Sequence, residues 1–449
     1  MFSWSGSGSA ALAEATSLHF GDDEEHIMTV SRLRTPLTIG FAALWMAGCS
    51  GVHSEFAGPP ASGSSPAVQK KSSNERVVYN FTGGSDGGNA ATALVLDKSG
   101  NVYGTTVVGG TYQCGTIFEA KPQSGPSWTE TPLYSFTCYG DGKNPHGGVT
   151  FDAKGNLDGT TVAGGTGYCA GDGCGVVFQY SSGSEIVLHA FTGDKDGFGP
   201  GGQVTLDPSG SIYGTTPDGG KLGVGTVYGI TQTGKLWKER VLHTFTGKRD
   251  GSTGSLGALL RDSSGDLYGV TENGGALSYG TAFRVVLAHG GKSKLTTLYT
   301  FKGTPDAGSP YGGLVADASG NLYGTTYYGG ANGLGALFEL VKKGNGFSER
   351  VLYSFKGGSD GSSSTSTMTF GNADTLYGMT SAGGGECDCG TIFSFNIKSG
   401  KEKVVHSFGG SNDGMYPYYG LTQESNGKFV GTTVAGGSFG QGAIFEFTP

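Results

Sequence analysis

One phrase recurs seven times along this chain, at intervals of 53 to 56 residues, and a fixed period of that length leaves few architectures open. The phrase runs L-Y-S-F-x-G-G-x-D-G, then G-L-x-x-D-x-x-G-N-L-Y-G-T-T-x-x-G-G, then G-T-x-F. Its aromatic anchor falls at Phe81, Phe136, Phe191, Phe245, Phe301, Phe355 and Phe408. The second Thr of Gly-Thr-Thr keeps step at Thr106, Thr161, Thr216, Thr271, Thr326, Thr380 and Thr433, while the first drifts to Val270 and Met379. A period of this kind belongs to a propeller or a solenoid.

Each unit holds four runs of strand character. In the fifth unit they are 312–317, 321–326, 335–341 and 348–355, separated by Gly, Asp, Asn and Ser clusters that favour turns. No segment carries the 3.6-residue periodicity of a helix. The ends decide between the two architectures. The repeated region opens on Arg76-Val77-Val78-Tyr79-Asn80-Phe81, which matches a fourth strand, and closes on Gly442-Ala443-Ile444-Phe445-Glu446-Phe447, which matches a third. A solenoid would need polar caps instead. The reading is an all-β, seven-bladed β-propeller of four-stranded antiparallel blades over residues 75–449, its ring closed by the N-terminal strand completing the last blade.

Glycine supplies 87 of 449 residues, which in an irregular sequence would suggest a low-complexity coil, but here the glycines hold fixed places between Val, Leu, Ile, Tyr and Phe. Charged residues make up 15% and the net charge is -8, so no basic stripe exists to neutralise a phosphate backbone. Nucleic acid is not an expected partner, and a closed ring is expected to be monomeric.

The first 74 residues differ in kind. Residues 1–27 lack apolar periodicity and read as a start-site artefact. From Met28 the chain gives Arg32 and Arg34, an apolar run to Met46, and Ala47-Gly48-Cys49. This resembles the bacterial lipoprotein signal, with Met46 where Leu is usual, and the resemblance implies lipidation at Cys49 and a membrane partner through that anchor. Residues 50–74, rich in Gly, Pro, Ser and Ala, read as a flexible tether.

The closure resembles that of WD-repeat propellers, and the G-L-x-x-D-x-x-G-N-L-Y run resembles the NHL-type repeat. The whole phrase resembles the bacterial GloVer tandem repeat of choice-of-anchor surface proteins. That resemblance implies an exported, surface-anchored repeat protein located in the cell envelope or on the outer surface.

Repetition sorts structure from function, because a single site on a pseudo-symmetric ring must come from departures. The acids Asp86, Asp141, Asp196, Asp250, Asp306, Asp360 and Asp413 recur and read as turn residues rather than a metal ring. Asp97, Asp152, Asp207, Asp262 and Asp317 read as hairpin turns, fading to Gly371 and Glu424. His189, His243 and His406 replace Tyr two residues before the anchor Phe, which marks a packing or edge position. No catalytic motif, cofactor motif or metal site is expected.

The departures fall near one face. Three residues before the apolar residue of each inner strand stand Ala91, His146, Gly201, Leu256, Tyr311, Thr365 and Tyr418, at the expected channel mouth. Loops between second and third strands bring Asp218, Glu272, Asn273, Tyr327 and Tyr328 into the sector of blades three to five. Exposed aromatics beside carboxylates and an amide suit a carbohydrate or peptide ligand. The expected function is a binding or scaffold module. A polysaccharide lyase or hydrolase, with chemistry at His146, and a purely structural envelope protein are the alternatives.

Without Cys49 six cysteines remain. Cys114 and Cys138 fall at the same end of one hairpin and are expected to bond. Cys169 with Cys174, in one loop, and Cys387 with Cys389, a tight pair, are also read as disulfide cysteines, with a zinc site, for which the C-x-x-C spacing is missing, as the alternative.

Overall fold

The computed structural model describes residues 74–449 apart from 170, 256, 289–291, 345 and 410–412. The signal segment, Cys49, most of the tether and Leu256 lie outside the described residues. Seven antiparallel sheets follow one another in chain order, and among the described residues the only helical turn is Gly358–Asp360. Blade one runs from an inner strand Val95–Leu96 through Val102–Thr106 and Thr116–Lys121 to an outer strand Thr129–Ser135. In blade seven the outer place beside Ala443–Phe447 is taken by Glu75–Asn80, with Glu75 opposite Phe447 and Asn80 opposite Ala443. The first and last strands of the ring thus share a sheet, and Ala443–Phe447 is covered on both sides.

Local chemistry turns the chain where the repeat demands it. Asp97 accepts the backbone N–H groups of Ser99 and Asn101 at 2.8 and 2.9 Å, and Gly100 takes φ +82°, which a side chain would resist. Asp152, Asp207, Asp262 and Asp317 repeat the bonds to the residues two and four places on.

The core lies between blades rather than within them. Phe81, contributed by blade seven, meets Phe118 of blade one edge to face with ring centroids 5.3 Å apart. The same pair closes every other interface: Phe136 on Phe178, Phe191 on Tyr228, Phe245 on Phe283, Phe301 on Phe338, Phe355 on Phe393 and Phe408 on Phe445, at 5.0 to 5.5 Å. All seven anchors are buried. Edge-to-face geometry puts the positive ring edge on the negative face, which contributes beyond the area buried.

The two threonines of Gly-Thr-Thr have separate tasks. The second stays inside its blade: Thr216 donates to the Asp218 carbonyl at 3.0 Å and accepts the N–H of Thr226 at 3.0 Å, fixing the second-to-third loop. The first crosses to the next blade, as when Thr105 donates to the Pro145 carbonyl at 3.1 Å, Thr160 to Gly202 at 3.0 Å and Thr215 to Ser255 at 2.8 Å. Where the first Thr is lost, another hydroxyl makes the crossing. Ser255 donates to the Tyr311 carbonyl beyond Val270, and Thr365 donates to the Tyr418 carbonyl at 2.9 Å beyond Met379.

This division predicts unequal mutational costs. Thr216→Val removes the partner of a buried N–H and should destabilise the ring by about 1 to 3 kcal/mol, whereas Thr215→Val loses one crossing bond and should cost about 1 kcal/mol or less. Chemical denaturation of the two variants measures the difference.

Candidate functional site at the channel mouth

Asn80, Ala443 and Thr433 share one end of blade seven, so the fourth-to-first and second-to-third connections of the repeat emerge on a common face. The chain joins the ring at Glu75, at the opposite end of the same strand. On the shared face, the loops between second and third strands expose Tyr112, Tyr168, Leu222, Leu277, Leu334 and Phe439, one from each of six blades.

Blades four and five differ from the rest. Elsewhere the approach to the inner strand meets the second-to-third loop at a single bridge, such as Phe198 with Asp218. In blade four Ser252–Gly254 forms a short strand against Leu267–Asn273, and in blade five Ala307–Pro310 does so against Leu322–Gly329. Glu272, Asn273, Tyr327 and Tyr328, expected in loops, therefore stand on extended strand ends. Backbone pairing holds them more firmly than loops would.

The structure brings most of the expected sector together. Burial raises the pKa of Glu272, and the neighbouring Asp218 raises it further; partial desolvation raises that of Asp218 as well. The Tyr311 hydroxyl is held far above its usual range, first by burial and then by the fields of Tyr419, Glu272, Tyr418 and Tyr327. Tyr327 is raised by burial and by Tyr328, whose ring it meets edge to face at 4.8 Å. Tyr418, from blade seven, is raised by burial and then by Tyr327. The backbones of Tyr311 and Tyr418 are the ones gripped by Ser255 and Thr365. Asn273 is exposed at the end of its strand. His146 stands at the matching position of blade two, where burial lowers its pKa to about 4 and leaves the imidazole neutral at pH 7.

Tyr419 is the residue that sequence reasoning missed. Its hydroxyl reaches to 3.5 Å from the Gly201 carbonyl, spanning from blade seven to blade three. The corresponding positions hold Thr92, Gly147, Gly202, Gly257, Gly312 and Ser366. At Gly147 and Gly257 a Cβ would come within 2.3 and 2.0 Å of the next blade's backbone. The signal was a size departure: a pseudo-symmetric axis has room for one large side chain, and this ring supplies one.

The recurring acids are structural at every blade. Asp141 accepts from the Tyr134 hydroxyl and the Thr137 N–H, both at 2.8 Å, and Asp196 and Asp250 meet His189 and His243 Nε2 at 3.2 and 2.9 Å. Tyr and His interchange because each can present a donor to the same carboxylate. A second acid from the next outer strand faces the pair. Burial, then the neighbouring Asp, raises Glu130, Glu185 and Glu349 to about 8. Burial likewise raises Glu239 and Glu402 to about 7. A groove lined by Tyr299, Asp306 and Glu349 opens on one such seam.

The cysteines form three disulfides, Cys114–Cys138, Cys169–Cys174 and Cys387–Cys389, so the zinc alternative for the last four falls away. The first pair joins the second-to-third loop of blade one to the turn after its outer strand, with Cα atoms 5.4 Å apart, as expected.

These features define a closed tandem-repeat propeller with one specialised sector. The sequence profile of the Gloeobacter/Verrucomicrobia repeat matches residues 54–203, 133–306, 168–349 and 257–449, and the chain belongs to that family. A search of curated proteins found no match. Among solved structures, the chain is similar to an oligogalacturonate lyase in complex with manganese, at 12% identity and a TM-score of 0.48, over 74% of this chain and 82% of that one. It is also similar to a protein described as a 6-phosphogluconolactonase from Bacteroides uniformis ATCC 8492, at 13% identity and a TM-score of 0.46, over 71% and 84%. A protein of unknown function from Dyadobacter fermentans DSM 18053 matches at 13% identity and a TM-score of 0.41, over 74% and 96%. Likenesses this remote say nothing of activity.

The seam carboxyls make stability depend on pH in a defined direction. Folding raises the five glutamates above 4.5, so between about pH 4.5 and 8 the native state holds protons that the unfolded chain releases. Stability should fall as pH rises through this window. Asp97, Asp207 and Asp317, lowered below 3.8 by hydrogen bonds that outweigh burial, lose their contribution only in stronger acid. The melting temperature should therefore be higher at pH 5.5 than at pH 8.5, and Glu130→Gln with Glu185→Gln should flatten the difference. An unchanged slope in that double variant would place its origin elsewhere.

Proposed function

We propose that this chain is an exported surface-binding module whose channel mouth, between blades three and five and Tyr418, takes a carbohydrate chain or an extended peptide. The observation that carries the reading is the convergence of Tyr311 and Tyr327 on Glu272, with Asp218 beside it and Tyr418 against the two tyrosines. Aromatic faces stack on sugar or peptide, and the two carboxyls orient donors. An acidic mouth favours neutral or cationic ligands over polyuronates. Because Tyr419 reaches across the channel, a chain-like ligand would lie over the mouth instead of threading it. The exposed Tyr, Leu and Phe side chains on the surrounding loops extend the same face.

Three disulfides fit an oxidising compartment, and the repeat family fits a surface protein. The proposed anchor is a lipid on Cys49. Cys49→Ala should shift the protein from the membrane fraction to the soluble one; mass spectrometry showing unmodified Cys49 in the mature protein would rule the anchor out.

A glycan and peptide array identifies the ligand. Tyr327→Ala and Glu272→Gln should then each weaken binding by about 1 to 3 kcal/mol with little change in melting temperature. Unchanged affinity in both would move the site off this sector. Turnover of an arrayed glycan that is lost in His146→Ala would favour an enzyme.

A further inference from the structure

At the seam where the ring closes, the repeated trio of Tyr or His, Asp and Glu comes close enough to hold a metal ion, as no other such trio among the described residues does. His406 lies on the outer strand of blade six, Lys401–Ser407, Asp413 lies in the turn leading to blade seven, and Glu75 is the first residue of the closing N-terminal strand. His406 Nε2 is 3.2 Å from an Asp413 oxygen and 3.7 Å from a Glu75 oxygen. One donor atom from each residue lies within 4.8 Å of the other two. The His406 side chain is only 8% exposed, and its buried Nε2 has no hydrogen-bond partner despite pointing between two carboxylates.

The other histidine blades provide the comparison. His189 and His243 make aligned hydrogen bonds to Asp196 and Asp250; Glu239 faces the first pair without forming a metal-sized cluster with it, and blade four carries Leu295 where the second pair's facing glutamate would stand. Four blades have Tyr at the histidine position, and a neutral phenol is a poor ligand for a borderline divalent ion. The edge of a tetrahedron with metal–ligand bonds of about 2.0 to 2.1 Å is about 3.3 Å, a length that the two His406 separations bracket. One imidazole with two carboxylates suits a borderline divalent cation such as zinc; calcium needs more oxygens than the trio offers.

We propose that Glu75, His406 and Asp413 form a divalent transition-metal site, of the zinc class, that fastens the closing strand to the junction of blades six and seven. The metal places a positive charge between two facing carboxylates and gives the buried imidazole nitrogen a partner. It joins residues from opposite ends of the sequence, so it ties the ring at the one blade that the chain does not build from a single stretch. This site is independent of the ligand site at the mouth.

The test uses the full chain without an affinity tag, stripped with chelator and titrated with Zn²⁺ by calorimetry and with Co²⁺ by visible absorption. One site per chain is expected, with tetrahedral Co²⁺ bands and a melting temperature several degrees higher in saturating zinc. His406→Tyr installs the residue of four sister blades and should fold, yet lose the bands and at least about 100-fold in affinity. His189→Tyr should keep both. Glu75→Gln provides a second variant should His406→Tyr fail to fold, with the same loss expected. Zinc binding equal in wild type and His406→Tyr, or no binding to wild type, would overturn the proposal.

Discussion

The edge-to-face ring pair between neighbouring blades is the contact on which the rest of this ring depends. A four-stranded blade has two faces to cover and no helix to cover them, so each sheet must find its core in the next. Phe of L-Y-S-F and the aromatic of G-T-x-F meet at all seven interfaces, including the one between Phe81 and Phe118 that spans the N-terminal strand. The Tyr or His two residues before the anchor rests edge-on against it, as Tyr134 does on Phe136 at 5.2 Å, and presents its polar atom to the recurring Asp. The phrase of the repeat is thus an interface written out in order: ring, donor, acid and turn.

Once the interface is fixed, departures can be spent on a site. The first Thr of Gly-Thr-Thr shows how. Val270 and Met379 give up a crossing hydrogen bond, and Ser255 and Thr365 restore one to the backbones of Tyr311 and Tyr418. The two weakened staples and the two mouth tyrosines are one arrangement. Blades four and five add a short strand at the same place, so the acids and tyrosines of the mouth sit on paired backbone. Departures that seemed scattered in the sequence are linked through the axis of the ring.

Much of the fold was legible because every signal was repeated. The fifth blade shows strands at Val315–Ala316, Leu322–Gly329, Ala336–Lys343 and Gly346–Ser354, close to the four expected runs, the inner one shortened as it nears the axis. The sector of Asp218, Glu272, Tyr311 and Tyr327 was legible as departures from a consensus. Tyr418 was legible in the same way, as a departure at the channel mouth, but its approach to Tyr311 and Tyr327 was not, because it is over a hundred positions away from Tyr311 in sequence. The facing glutamates at the seams were also hidden. Glu130 faces Tyr79 and Asp86 across a blade boundary, and nothing local marks it.

The sequence by itself determined the blade count, the strand order, the closure and the cysteine pair at one hairpin end, since each depends on period or on contacts within one repeat. Tertiary structure decided the rest: that Tyr419 spans the channel, that Tyr418 of blade seven meets Tyr311 and Tyr327, and that Glu75, His406 and Asp413 face one another. Those outcomes depend on curvature. Seven wedge-shaped interfaces bend the chain into a circle, and a circle brings together residues whose separation in sequence is arbitrary.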